Sequence, residues 1–164
     1  MVVVADIEEF RELIGREHGL VVVSVTRDDG TISSSVVNAG VLPHPVTGKT
    51  VVGMVIRGGT RKLALLRKRP YANVVVRAGW QWSAAEGSVD LIGPVDPYPR
   101  DDSDAHAGTG PSLDAERIRV LLREIFTAAG GTHDDFDTYD RVMREEGRTA
   151  VLVNPDRVYS NPAQ

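Results

Sequence analysis

The chain has 164 residues, of which 41% are hydrophobic and 26% charged, with a net charge of −4 and no cysteine. That length suits one domain, over residues 1–164, with a core of useful size. The negative balance argues against nucleic-acid binding through a basic surface, and the lack of cysteine excludes disulfides, thiolate metal sites and a cysteine nucleophile. No stretch approaches the roughly 20 apolar residues of a membrane span. The apolar run at Met-Val-Val-Val-Ala-Asp is too short for a signal peptide and lacks a basic start, so a cytoplasmic protein is expected.

Residues 5–17 predict an amphipathic helix, with Ile7, Phe10, Leu13 and Ile14 at helical spacing and Asp6 as its N-cap. Leu20 to Thr26 is a β-branched run that suits a buried strand. Asp28-Asp29-Gly30 predicts a tight turn, and Thr31 to Leu42 the returning strand of a hairpin. A third strand is expected over Thr50–Arg57. Gly58-Gly59 then leads to a short helix that starts at Thr60 and stops before Pro70. Ala72 to Arg77 reads as a fourth strand and Trp80 to Ile92 as a long fifth one, bent at Gly87. Residues 93–112 are rich in Pro, Gly, Asp and Ser and predict an exposed loop. A helix from Leu113 or Asp114 to Ala129 ends at Gly130-Gly131, a second helix spans Asp137 to Glu146, and Thr149 to Asn154 is the last strand, followed by a tail through Val158 and Tyr159. Strands and helices do not alternate regularly, which argues against a doubly wound parallel sheet. About six antiparallel strands joined by short turns predict a mainly β fold, a small barrel with flanking helices.

The start of the short helix carries unusual charge. Thr60 is an N-cap candidate, and Arg61 and Lys62 place two cations where the helix dipole favours an anion. Two readings stand: both side chains reach into water, or a bound phosphate compensates them. Gly53-Met-Val-Ile-Arg-Gly-Gly-Thr60 nearly spells a phosphate-binding P-loop, but Gly59 holds the lysine position and Gly53 lies inside the strand pattern. No Gly-x-Gly-x-x-Gly run opens a helix after the first strand. Arg67-Lys68-Arg69 fits the favourable C-terminal end of the same helix. His18, His44, His106 and His133 are scattered, read as solvated, and predict no metal site. Asp101 to Asp104 lacks the glycine and glutamate of a calcium loop, and Asp134 to Asp137 reads as helix capping. Ser33 to Asn38 is an unusual strand, either a solvent-facing edge or a set of small hydroxyls that meets a flat polar ligand. Trp80 and Trp82 share a face of the fifth strand, as core packing or the lip of an aromatic pocket.

With these pieces in order, Val52–Val76 resembles the flavin/deazaflavin oxidoreductases of the split β-barrel class, relatives of pyridoxamine 5′-phosphate oxidase. The residues that carry the resemblance are the strand before Thr60-Arg61-Lys62, then Leu63, Leu66, Pro70 and Val74–Val76. Gly79-Trp80-Gln-Trp82 with Glu86, Gly87 and Leu91 resembles the family's next strand, and Thr149 to Tyr159 its closing one. The resemblance implies a PNPOx-like split barrel, with Arg61 and Lys62 holding a cofactor phosphate and Thr60 assisting. It also implies that Val55, Ile56 and Arg57 lie along the cofactor ring, and that Ser34, Ser35 and Asn38 meet the ring or its ribityl chain. It implies a homodimer with the cofactor at the subunit interface, to which Trp80 of the second copy would contribute. The compact chain and the Gly-Trp-x-Trp stretch resemble the subgroup that uses coenzyme F420, whose glutamate tail Arg57, Arg67 and Lys68 would serve. FMN on the same fold, and a non-catalytic protein that binds the cofactor or haem, are the alternatives. The expected chemistry is hydride transfer to an electron-poor small molecule, with no catalytic protein residue singled out. The tail lacks the Arg-x-Ser-Pro ending of pyridoxamine-phosphate oxidases, which argues against that substrate.

Overall fold

The computed structural model describes residues 3–98 and 113–162. In chain order the elements are β1 (Val3–Val4), α1 (Ile7–Arg16), β2 (Leu20–Thr26), β3 (Ile32–Pro43), β4 (Thr50–Ile56), α2 (Arg61–Lys68), β5 (Tyr71–Ala78), β6 (Gln81–Ile92), α3 (Ala115–Ala128), α4 (Phe136–Glu145), β7 (Thr149–Val153) and β8 (Arg157–Ser160). Every strand pairing is antiparallel. The sheet runs β1-β8-β6-β5-β2-β3-β4-β7, and a further β6–β7 pairing closes six of these strands into a barrel. The expected architecture is thus present. The tail through Val158 and Tyr159 forms a separate short strand, β8, which pairs with β1 and with the first half of β6. Such two- and four-residue strands carry too little periodicity to stand out in sequence.

The barrel splits within β6. Ser83–Glu86 of β6 pair with β8, whereas Val89–Ile92 pair with β7. Gly87 lies between the two ladders, and a Cβ there would fall 1.8 Å from the Asn154 carbonyl oxygen. The close backbone approach that redirects the strand therefore requires glycine.

Alternation along β2, β4 and β5 sends Val21, Val23, Val25, Met54, Val74 and Val76 into the barrel. Phe10, Leu13 and Ile14 of α1 and Leu63, Leu65 and Leu66 of α2 pack against that interior. α1 starts at Asp6, whose carboxylate accepts the Glu9 N–H at 3.0 Å. A second apolar cluster joins Leu121, Leu122 and Ile125 of α3 to Leu42, Val51, Ile92, Ala150 and Leu152 on the outer barrel surface. β7 is therefore buried at every position, and its unbroken run Thr149-Ala-Val-Leu-Val153 reflects that. α3 seats closely on β3 because Gly40 has no side chain, and a Cβ there would lie 2.4 Å from the Ala128 backbone.

Candidate functional site

The Gly58-Gly59 turn links β4 to α2. Gly59 adopts φ +74°, a conformation that glycine enters freely. Gly58 donates its N–H to the Glu146 carbonyl at 3.0 Å, so the turn rests on the C-terminal end of α4. Thr60 holds the N-cap position with extended backbone angles, and its carbonyl accepts the Ala64 N–H at 3.3 Å. Its hydroxyl, expected to cap the helix, makes no such bond: Thr60 Oγ1 is buried and has no hydrogen-bond partner. A buried, unsatisfied hydroxyl is costly and marks a position where a ligand atom would be stabilising.

The cations beside it are also uncommitted. Arg57, Arg61 and Lys62 make no hydrogen bond or ion pair among the described residues. Lys62 is half-buried, and burial pushes its ammonium below the ordinary lysine pKa. The second basic run differs. Arg67 makes a two-pronged pair with Asp96, both contacts at 2.8 Å. Lys68 pairs with Asp28 at 3.1 Å, and Arg69 donates to the carbonyls of Arg27 and Asp28. Arg67 and Lys68 thus tie α2 to neighbouring loops through acidic partners.

Asn38, Val55, Ile56, Arg57 and Lys62 converge on a cavity of about 460 Å³, within the usual range for small-molecule sites. Its other walls come from α3, α4 and the segment before β7: Ile125, Phe126, Ala129, Tyr139, Met143 and Arg148. The sequence reading missed these residues. The register explains their arrival: Ile56 pairs with Thr149, so the ladder places Arg148 beside Arg57. Arg148 donates to Glu146 Oε2 at 2.7 Å and to the Val55 carbonyl at 3.5 Å. The Tyr139 hydroxyl donates to the Leu122 carbonyl at 3.1 Å, and burial pushes its pKa up to about 12. The neutral form is therefore the favoured one. Asn38 donates to the His18 carbonyl at 3.2 Å, which fixes its amide at the cavity edge.

Thr60, at the helix start, and four further expected site residues do not line this cavity. Arg61 is exposed on the first turn of α2, next to Lys62. Ser34 is exposed and shares a 2.8 Å hydrogen bond with Ser24. Ser35 is half-buried, and its hydroxyl is buried without a partner. Trp80 is 86% exposed at the β5–β6 turn. Trp82, by contrast, packs edge-on against Tyr159 at 6.1 Å.

His44, read as solvated, is buried. Its Nδ1 accepts the Val46 and Thr47 N–H groups at 3.1 and 3.2 Å. Nε2 therefore carries the proton and donates to Asp90 at 3.1 Å. Burial raises the Asp90 pKa, but hydrogen bonds from His44 and Asn154 outweigh it and hold the carboxyl below its ordinary value. With both ring nitrogens engaged, this pair locks the β3–β4 loop. Asp135, in the run read as capping, does cap α4 by accepting the Asp137 and Thr138 N–H groups. Asp101–Asp104 and His106 lie outside the described residues. Among the described residues no group of three or more His, Asp or Glu is placed to hold a metal, and no helix is long and apolar enough to cross a membrane.

No family model and no curated protein matches the sequence. Solved structures do match the fold. A conserved hypothetical protein from Mycobacterium tuberculosis superposes with a TM-score of 0.62 at 12% identity, over 99% of this chain and 92% of that one. An FMN-binding protein from Nostoc punctiforme, related to pyridoxamine 5′-phosphate oxidase, gives 0.56 at 11% identity, over 93% and 82% of the two chains. An F420 reductase gives 0.53 at 10% identity, over 85% and 87%. The fold is the pyridoxamine 5′-phosphate oxidase-like split barrel.

Proposed function

We propose that this chain is an oxidoreductase that uses coenzyme F420, with FMN as the alternative cofactor, and that the β4–α2 turn holds the cofactor phosphate. One observation carries the reading. Three cations close in sequence to Thr60, namely Arg57, Arg61 and Lys62, meet no partner among the described residues; the Thr60 hydroxyl is buried without a partner at the helix start, and Arg57 and Lys62 line a cavity of about 460 Å³. A phosphate would satisfy Thr60 Oγ1 and neutralise Lys62, so the residues present fit the group. The split-barrel neighbours include an FMN-binding protein and an F420 reductase, which supports a flavin-like ligand. The Gly-Trp-x-Trp resemblance favours the deazaflavin.

In this reading Arg61 and Lys62 hold the phosphate, Arg57 extends the positive surface, and Val55 and Ile56 supply an apolar wall for a flat ring. Phe126 and Met143 close the cavity from the helical side and limit water. Bound there, the deazaflavin supplies the hydride for transfer to an electron-poor organic substrate. The protein contributes binding, orientation and a dry, shaped surface. The reading also includes a homodimer. The outer faces of β2 and β3 expose Leu20, Val22, Ile32 and Val36, at 48%, 39%, 57% and 66%. Val36 lies directly opposite Val22 across the ladder, with Leu20 next to them on the same face, while the Ser24–Ser34 pair separates Ile32 from this apolar group. A second copy of the chain would cover it. Asn38 links the end of that group to the cavity.

The test is titration of the purified protein with oxidised and reduced F420, followed by deazaflavin fluorescence, with FMN in parallel. Saturable F420 binding is the expected result. Saturation by FMN alone would move the assignment to the flavin, and no saturation with either would remove it.

A further inference from the structure

A second cavity, of about 610 Å³, lies between α3 and α4. It shares Met143 and Arg148 with the cavity at the β4–α2 turn, so the two cavities adjoin at those side chains. Apolar groups supply much of its lining, notably Pro94, Ile118, Leu122 and Met143. Its charges nearly cancel. Arg119 pairs with Glu116 and Asp140, Arg123 pairs with Asp140, and Arg148 pairs with Glu146. Arg144 is left over: it lines the cavity and makes no hydrogen bond or ion pair among the described residues. Its place in the last turn of α4 suits the helix dipole. That accounts for a cation there but not for the apolar hollow in front of it.

We propose that this α3–α4 cavity is the substrate pocket of the oxidoreductase, and that it takes a largely apolar molecule bearing one carboxylate, which Arg144 holds. The proposal rests on the cofactor reading above. The shape fits the task. An apolar body would lie against Ile118 and Leu122, with its anionic end at Arg144. Its other end would reach the shared wall of Met143 and Arg148, beside the Val55 carbonyl where the ring is placed. Asp140 clamps α3 to α4 through Arg119 and Arg123, so the walls are set before a ligand arrives. A neutral molecule of the same size would forgo the contact with Arg144, which is exposed, and a doubly charged one would have to place its second charge against an apolar wall.

The test compares phenylbutyrate with its amide, which has the same apolar body without the charge, by calorimetry on the whole chain. The acid should bind at least about tenfold more tightly, the size of one charge-assisted hydrogen bond. Arg144→Ala should bring the acid down to the level of the amide and leave F420 binding within about twofold. Ile118→Trp should fill the cavity and remove both ligands. Thermal unfolding checks that each variant folds, and the exposed Arg144 variant carries the test if Ile118→Trp does not fold. Equal affinity for acid and amide, or an acid affinity untouched by Arg144→Ala, would overturn the proposal. Binding of the acid to a protein that never saturates with F420 would overturn the substrate role. F420 saturation without acid binding would overturn the cavity assignment alone.

Discussion

Lys62 is half-buried with no counter-ion, and burial alone holds its ammonium below the ordinary lysine value of 10.5. The charged form is therefore disfavoured in the folded chain, and stability should rise slightly as the group loses its proton. An anion reverses this by supplying the missing partner. Phosphate or F420 affinity should fall as pH rises toward 10.5, and Lys62→Arg should retain it over that range, as fluorescence titration at stepped pH would show. Lys62→Ala and Arg61→Ala should each weaken F420 binding by about tenfold or more, since each removes a charge-assisted contact. Thr60 belongs to the same scale. Its hydroxyl was expected to serve the helix, and the structure leaves it free of the backbone. The residue type was readable, but its rotamer depends on neighbours distant in sequence.

At the scale of elements, the decisive joint is the split of β6. Gly87→Ala would drive a methyl group into the Asn154 carbonyl, and only a backbone shift relieves that contact. A loss of about 1–3 kcal/mol is expected, measured by urea unfolding monitored by tryptophan fluorescence. The α3–α4 pair makes a different prediction. Hydrogen bonds from Arg123 and Arg119 hold the Asp140 carboxyl below its ordinary value of 3.8. A depressed carboxylate contributes stability that is present above its unfolded pKa and lost as pH falls through its folded one. Asp140→Asn should therefore lower the melting temperature at neutral pH and flatten the acid limb below about pH 4, where the wild type loses stability. A parallel acid limb in both proteins would show that other carboxylates govern it.

For the whole molecule, the exposed apolar residues Leu20, Val22, Ile32 and Val36 predict self-association. Val36→Lys should shift the protein to monomer in sedimentation velocity while leaving its circular dichroism unchanged. Because Asn38 joins the apolar group to the cavity, the same variant should weaken F420 binding if the second copy completes the site. A monomeric wild type would remove the dimer from the functional reading.

The sequence by itself determined the local elements. Runs rich in β-branched residues marked β2, β4 and β5, and the apolar faces of α1 and α3 marked their helices. Gly87 was placed as a bend and Asp135 within a cap, because dihedral preferences and local hydrogen bonds act between near neighbours. It also marked the β4–α2 turn, since two cations at a helix start conflict with the dipole within one short stretch. Only the tertiary structure decided what faces that turn. The β4–β7 ladder carries Arg148 to Arg57 across some 90 residues, and α3 and α4 supply Phe126, Tyr139 and Met143 as a wall. Those contacts follow from strand register and helix seating, which depend on the whole core rather than on any local pattern. The same physics separated the two basic runs: Asp96 and Asp28 neutralise Arg67 and Lys68, while Arg57, Arg61 and Lys62 at the β4–α2 turn meet no such partner among the described residues.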